Sequence, residues 1–157
     1  MATNRRAHRH ADHQPREHAT YVIVADETAL TEVELALIGL PYCATGRVFI
    51  EVADASQIVP LDVPARMVVT WLPRERRSGA PGTAAACAQG EAALRAVRAW
   101  GSEMLCPSDD GELLRTDALL LGDYRTVAPA YEFLVAEADI PRSQVSADAA
   151  YRLDAGH

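Results

Sequence analysis

The chain has 157 residues, of which 49% are hydrophobic and 24% charged, with a net charge of −7 at neutral pH. That length fits one domain, and that composition excludes disorder along the whole chain. No apolar run approaches the eighteen or so residues of a membrane span, and the acidic balance argues against a nucleic-acid surface.

Residues 1–18 carry Arg5, Arg6, Arg9 and Arg16 against Asp12 and Glu17, so this end is basic while the remainder is strongly acidic. It also holds His8, His10, His13 and His18. The segment has no apolar periodicity and is expected to be a disordered, solvated tail. Its histidines lack the Cys or paired acids that would complete a defined metal site. There is no apolar signal region, so a cytoplasmic chain is expected. Residues 19–157 are expected to form the folded domain.

Tyr21–Val24 is a short β-branched run and predicts a strand. Ala25-Asp26-Glu27-Thr28 reads as a tight polar turn. Leu30, Val33, Leu37 and Leu40 recur at helical spacing, which predicts a helix over Ala29–Gly39, stopped by Gly39 and Pro41. Arg47–Val52 and Met67–Leu72 predict two further strands. The link between them, Ala53–Arg66, contains Pro60 and Pro64 and has room only for an extended crossover or a single helical turn. Pro73–Gly82 reads as a loop. An Ala-rich stretch predicts a long helix over Thr83–Trp100. Ala118–Leu121 is fully apolar and predicts a buried central strand. A helix is expected over Thr126–Ala138, with Pro129 tolerable only in its first turn. Gln144–Ser146 begins a last short strand.

Apolar strands alternating with amphipathic helices predict an α/β fold: a single Rossmann-like domain, a mostly parallel five-stranded sheet with helices on both faces. Ligands of such sheets bind at the carboxyl ends of the strands, near the switch point. That rim comprises Ala25–Thr28, Ala53–Ser56, Leu72–Arg77 and Gly122–Tyr124. The first turn has neither G-x-G-x-x-G nor a P-loop pattern. Asp26 and Thr28 would serve equally as helix caps or, with the free amides of the first helix, as neighbours of a pyrophosphate or ribose. Glu51 and Asp54 sit where dinucleotide folds place acids on ribose hydroxyls. Arg74, Arg76 and Arg77 form either a phosphate-binding group or a solvated basic loop.

The three cysteines, Cys43, Cys87 and Cys106, form no C-x-x-C, and reduced thiols are expected. Outside the tail the one histidine is His157, the final residue, so Cys–His and Ser–His chemistry lacks its base.

Four segments occur in an order that resembles the siderophore-interacting protein family. They are Val24-Ala25-Asp26-Glu27-Thr28-Ala29-Leu30, Phe49-Ile50-Glu51-Val52-Ala53-Asp54, Val69-Thr70-Trp71-Leu72-Pro73-Arg74 and Leu121-Gly122-Asp123. Ile140-Pro141-Arg142-Ser143-Gln144-Val145-Ser146 resembles the family's final helix-to-strand link. The resemblance implies the NAD(P)H-binding half of a ferric-siderophore reductase, an oxidoreductase whose flavin half precedes it in typical members. No such flavin barrel is expected in the short polar tail, so FAD would come only from a separate flavoprotein partner. The resemblance places Asp26, Glu27 and Thr28 beside the nicotinamide and pyrophosphate. It places Gly122 and Asp123 at the family's Gly-Glu pair, and Asp54 and Arg74 toward the adenosine; the strand end Trp71–Arg74 is expected to contact the nucleotide. Arg152 would match the terminal aromatic-Arg motif. Arg76, Arg77, Tyr151 and Arg152 are candidates for an anionic ligand or a ferric siderophore. Two departures stand out: Asp123 replaces the family's Glu, and Ala149-Ala150-Tyr151-Arg152 lacks the usual Trp. The alternative is a non-catalytic binding or regulatory module that keeps the fold without redox activity.

Overall fold

The computed structural model describes residues 19–105 and 115–147. The basic tail 1–18, Cys106, Tyr151 and Arg152 lie outside the described residues. Five strands form one sheet: β1 Thr20–Asp26, β2 Thr45–Val52, β3 Arg66–Pro73, β4 Thr116–Leu120 and β5 Val145–Ser146. Their order is β3-β2-β1-β4-β5, and every neighbouring pair is parallel. The sheet is thus wholly parallel, and the expected α/β class holds. The chain leaves β1 in one direction across the sheet and returns through β4 in the other, which makes the β1–β4 boundary the switch point.

The helices α1 Leu30–Gly39, α2 Glu91–Met104 and α3 Tyr124–Glu132 cover the two faces unequally. One face packs Val22, Val24, Phe49, Leu72 and Leu120 beneath α2 and α3, whose Val97, Trp100, Val127 and Tyr131 point inward. The other packs Ile23, Val48, Ile50, Val52 and Met67 beneath α1 alone, through Val33 and Leu37. Strand residues alternate between these two clusters, as a pleat covered on both sides requires. The link from β2 to β3 holds one 3₁₀ turn, Ala55–Gln57, and is otherwise extended, as its prolines dictate. Among the described residues no helix is long and apolar enough to cross a membrane.

Several boundaries differ from expectation. The first strand runs on to Asp26, and a 3₁₀ turn, Glu27–Ala29, precedes α1. The helix expected over Thr83–Trp100 begins at Glu91 and continues to Met104. High alanine propensity over 83–89 loses to the backbone. Ser78 and Ala86 form an antiparallel bridge, and Gly90 adopts a left-handed φ of 86°. Pro129 is not in the first turn; it lies well inside α3. Proline offers no N–H to the carbonyl of Arg125 one turn earlier. A Cβ on Gly90 would sit 2.0 Å from that carbonyl oxygen, so only glycine lets the start of α2 approach it. Past Pro129 the helix relaxes into a π-helical turn, Phe133–Glu137.

Candidate functional site

The rim at the carboxyl ends of β1, β2, β3 and β4 gathers charged residues on the α2/α3 side of the sheet. Asp26 and Glu51 are register partners on β1 and β2 and share that side. Both are fully buried. Two adjacent buried carboxylates repel each other, and each needs its own donors.

Asp26 is satisfied by dipoles. It accepts hydrogen bonds from the Thr28 amide at 2.9 Å, from the Thr28 hydroxyl, and from the Asp123 amide at 2.8 Å. The buried Thr126 hydroxyl faces the same carboxylate without reaching hydrogen-bond geometry. Burial pushes the Asp26 carboxyl up. The Thr28 and Thr126 hydroxyls and the amides of Asp123 and Thr28 outweigh burial and hold it below the usual aspartate range. Gly122 takes a φ of 111°, and a Cβ there would lie 2.5 Å from the Asp26 carboxylate. The missing side chain at Gly122 is therefore room for Asp26. Asp123 in turn caps α3 by accepting from the Arg125 amide at 2.9 Å. Asp26, Thr28, Gly122 and Asp123 thus meet at the switch point.

Glu51 is satisfied by dipoles and a cation. It accepts from the amides of Gly90 at 2.7 Å and Ala93 at 2.9 Å, the opening turn of α2, and from Arg74 Nη1 at 3.1 Å. The carboxylate fills the anion site that a helix start otherwise offers. Arg74 also grips Glu27 with both prongs of its guanidinium, Nη2 to Oε1 at 2.6 Å and Nη1 to Oε2 at 3.0 Å. These two acids raise the Arg74 pKa still further, so it is permanently charged. Arg74 and Glu27 keep 16% and 18% of their side-chain surface exposed.

The other candidates lie apart. Trp71 belongs to the opposite face. It packs beside the α1 core and lines an open apolar groove of about 640 Å³ with Ile58, Leu61, Val63 and Val69. Asp54 caps the Ala55–Gln57 turn through the hydroxyl and amide of Ser56, which lower its pKa. Arg76 and Arg77 are exposed, Arg76 beside Glu75. The trans-capping of α2 by Glu51 escaped the sequence. Its signal was a glycine followed by Glu91 after a loop rich in Pro and Gly. Cys43 and Cys87 are free thiols, and burial pushes the Cys87 thiol up, away from a reactive thiolate. Among the described residues no group of three or more His, Cys, Asp or Glu is arranged to hold a metal. The rim acids act as hydrogen-bond acceptors and ion-pair partners.

The family model and the solved structures agree with one another. A sequence model described as "Siderophore-interacting protein" matches residues 18–151. A siderophore-interacting protein from Aeromonas hydrophila superimposes with a TM-score of 0.58 at 19% identity, over 84% of this chain and 50% of that one. A siderophore utilization protein from T. fusca gives a TM-score of 0.55 at 28% identity, over 81% of this chain and 42% of that one. A siderophore-interacting protein from Acinetobacter baumannii gives 0.56 at 14% identity, over 84% and 45%. The chain thus spans half or less of these solved relatives. A search of curated proteins returns no match. With the family model covering most of its length, this chain belongs to the siderophore-interacting protein family.

Proposed function

We propose that this chain is the NAD(P)H-binding half of a ferric-siderophore reductase system in the cytoplasm, working with a separate flavoprotein. Family membership supports the system, and the parallel sheet with its switch point supports a nucleotide at the rim. The observation that carries the reading is Arg74. Its guanidinium already holds an anion in the two-pronged geometry that also suits a phosphate. In this reading Arg74 takes a phosphate, Thr28 and Asp123 border the nicotinamide end, and Asp54 serves a ribose. Arg76 and Arg77 face an anionic ligand such as a ferric siderophore. When bound, NAD(P)H supplies a two-electron hydride, and a flavin divides the pair for ferric iron. This chain's own residues bind and orient the nucleotide, while the flavin stays with the partner.

A second reading, a module that keeps the fold without redox chemistry, is favoured by one specific observation. The start of α2 and the guanidinium of Arg74 are both engaged by the protein's own carboxylates. Calorimetric titration with NADH and NADPH separates the two. Saturable binding, followed by siderophore-iron reduction only when a flavoprotein is added, supports the reductase half. No binding at millimolar nucleotide leaves the module.

A further inference from the structure

We infer that Glu27 is a built-in competitor for the anion that Arg74 receives, a latch that a phosphate-bearing ligand must displace. The inference rests on the proposed nucleotide reading for its natural ligand, but its geometry stands alone. The two acids on Arg74 are held very differently. Glu51 is fully buried and fixed by two α2 amides, so it cannot leave without stranding them. Glu27 sits on a three-residue 3₁₀ turn at the rim, and among the described residues Arg74 is its one hydrogen-bond partner. Its departure strands nothing, because its carboxylate reaches water.

The charges point the same way. Glu51 and Glu27 both bear on the Arg74 guanidinium, and the buried Asp26 carboxylate lies beside Glu51. With Glu27 in place two carboxylates share one guanidinium and oppose a further anion there; with Glu27 swung out that repulsion falls by one charge and one edge of the guanidinium is open to a phosphate. A carboxylate and a phosphate offer the same pair of oxygens to the guanidinium fork, so Glu27 occupies the position that the ligand would take. The exchange breaks no covalent bond and needs no co-reactant. It lowers the apparent affinity by the fraction of time the latch is closed.

The test uses the full chain, inorganic pyrophosphate as probe, and the ¹⁵N–¹H signal of the Arg74 Nε as reporter, with calorimetry in parallel. Glu27→Gln removes the charge and keeps the shape; Glu27→Asp keeps the charge but shortens the reach. Both variants are expected to bind pyrophosphate at least tenfold more tightly than the parent, with the Arg74 signal shifting on titration. Glu27→Gln combined with Arg74→Gln is expected to lose the whole gain. Pyrophosphate affinity unchanged in both single variants, with native melting curves, overturns the latch. A gain that survives Arg74→Gln also overturns it. NADPH is then titrated into the same variants. A gain for pyrophosphate without any NADPH binding keeps the latch and sinks the nucleotide reading, so the two failures are distinct.

Discussion

The corner around Asp26 and the corner around Glu51 start from the same problem, a fully buried carboxylate at a strand end, and solve it in different ways. At the Asp26 corner neutral donors close over the charge, and among the described residues no cation pairs with it. Thr28 lies two residues away, and Asp123 arrives at the point where β4 ends. Gly122 lets that backbone come close enough to matter. At the Glu51 corner the donors are the start of α2 and a half-buried arginine whose second partner is replaceable. The first corner is a closed structural lock. The second contains one fixed contact and one that can exchange. A difference in how strongly each group is over-determined decides which corner can respond to a ligand.

Breaking the fixed contact should have the largest effect. Glu51→Ala strands the amides of Gly90 and Ala93 and leaves Arg74 with Glu27 alone. Loss of one member of a buried, hydrogen-bonded pair costs about 3–5 kcal/mol. Urea unfolding should show that loss, with the α2 amides losing hydrogen-exchange protection first. A loss below about 1 kcal/mol would mean that Glu51 is not the cap of α2.

The lock at the other corner should break next. Gly122→Ala combines a left-handed φ with a Cβ pressed on the Asp26 carboxylate. Such overpacking and strain together cost roughly 2–4 kcal/mol. The collision is specific, so it is testable as a coupling. Asp26→Ala removes the wall, and the double variant should be less damaged than the sum of the singles by about 0.5–3 kcal/mol. Strict additivity would show that backbone strain, and not Asp26, demands the glycine.

Acid sharpens the same comparison. Asp26 titrates in the folded chain below its ordinary value of 3.8. Its folded form therefore gains stability above that value and loses it as the pH falls through the lower, folded one. Stability measured from pH 5 downward should fall, and Asp26→Asn should flatten that fall. The Asn variant is less stable at neutral pH, because one amide prong donates where both carboxylate oxygens accepted. An unchanged acid limb in Asp26→Asn would assign the acid sensitivity to other carboxylates.

Much of the fold was legible because strand signals here are local. Tyr21–Val24, Arg47–Val52 and Met67–Leu72 are short runs rich in β-branched and other apolar residues, and each lies inside an observed strand. The start of α2 was not legible, since alanine propensity over 83–89 is local while the left-handed Gly90 answers to Arg125 and Glu51 from distant elements. Pro129 misled for a similar reason: the carbonyl it leaves without a helical partner faces the start of α2, which only tertiary packing supplies. At the rim, the residues of the candidate site were readable as types but not as partners. Arg74 reads as a phosphate ligand in sequence, yet its partners are 47 and 23 residues away. Trp71 lies only three positions from Arg74 in sequence, but the strand's alternation sends it to the opposite face, against the α1 core.

The smallest effect on stability belongs to the exchangeable contact, and that smallness is itself diagnostic. Glu27 and Arg74 are partly exposed, and ion pairs that reach water contribute about 0–1 kcal/mol. Glu27→Gln should therefore leave the unfolding free energy within about 1 kcal/mol of the parent, several-fold less than Glu51→Ala, although both acids touch the same guanidinium. Salt should separate them further. The Glu27 contribution is screened near the surface and should shrink between low and high ionic strength, while that of the buried Glu51 should not. Equal losses for the two acids, or a Glu27 loss that resists salt, would make the pair a structural clamp and remove the contrast between the corners.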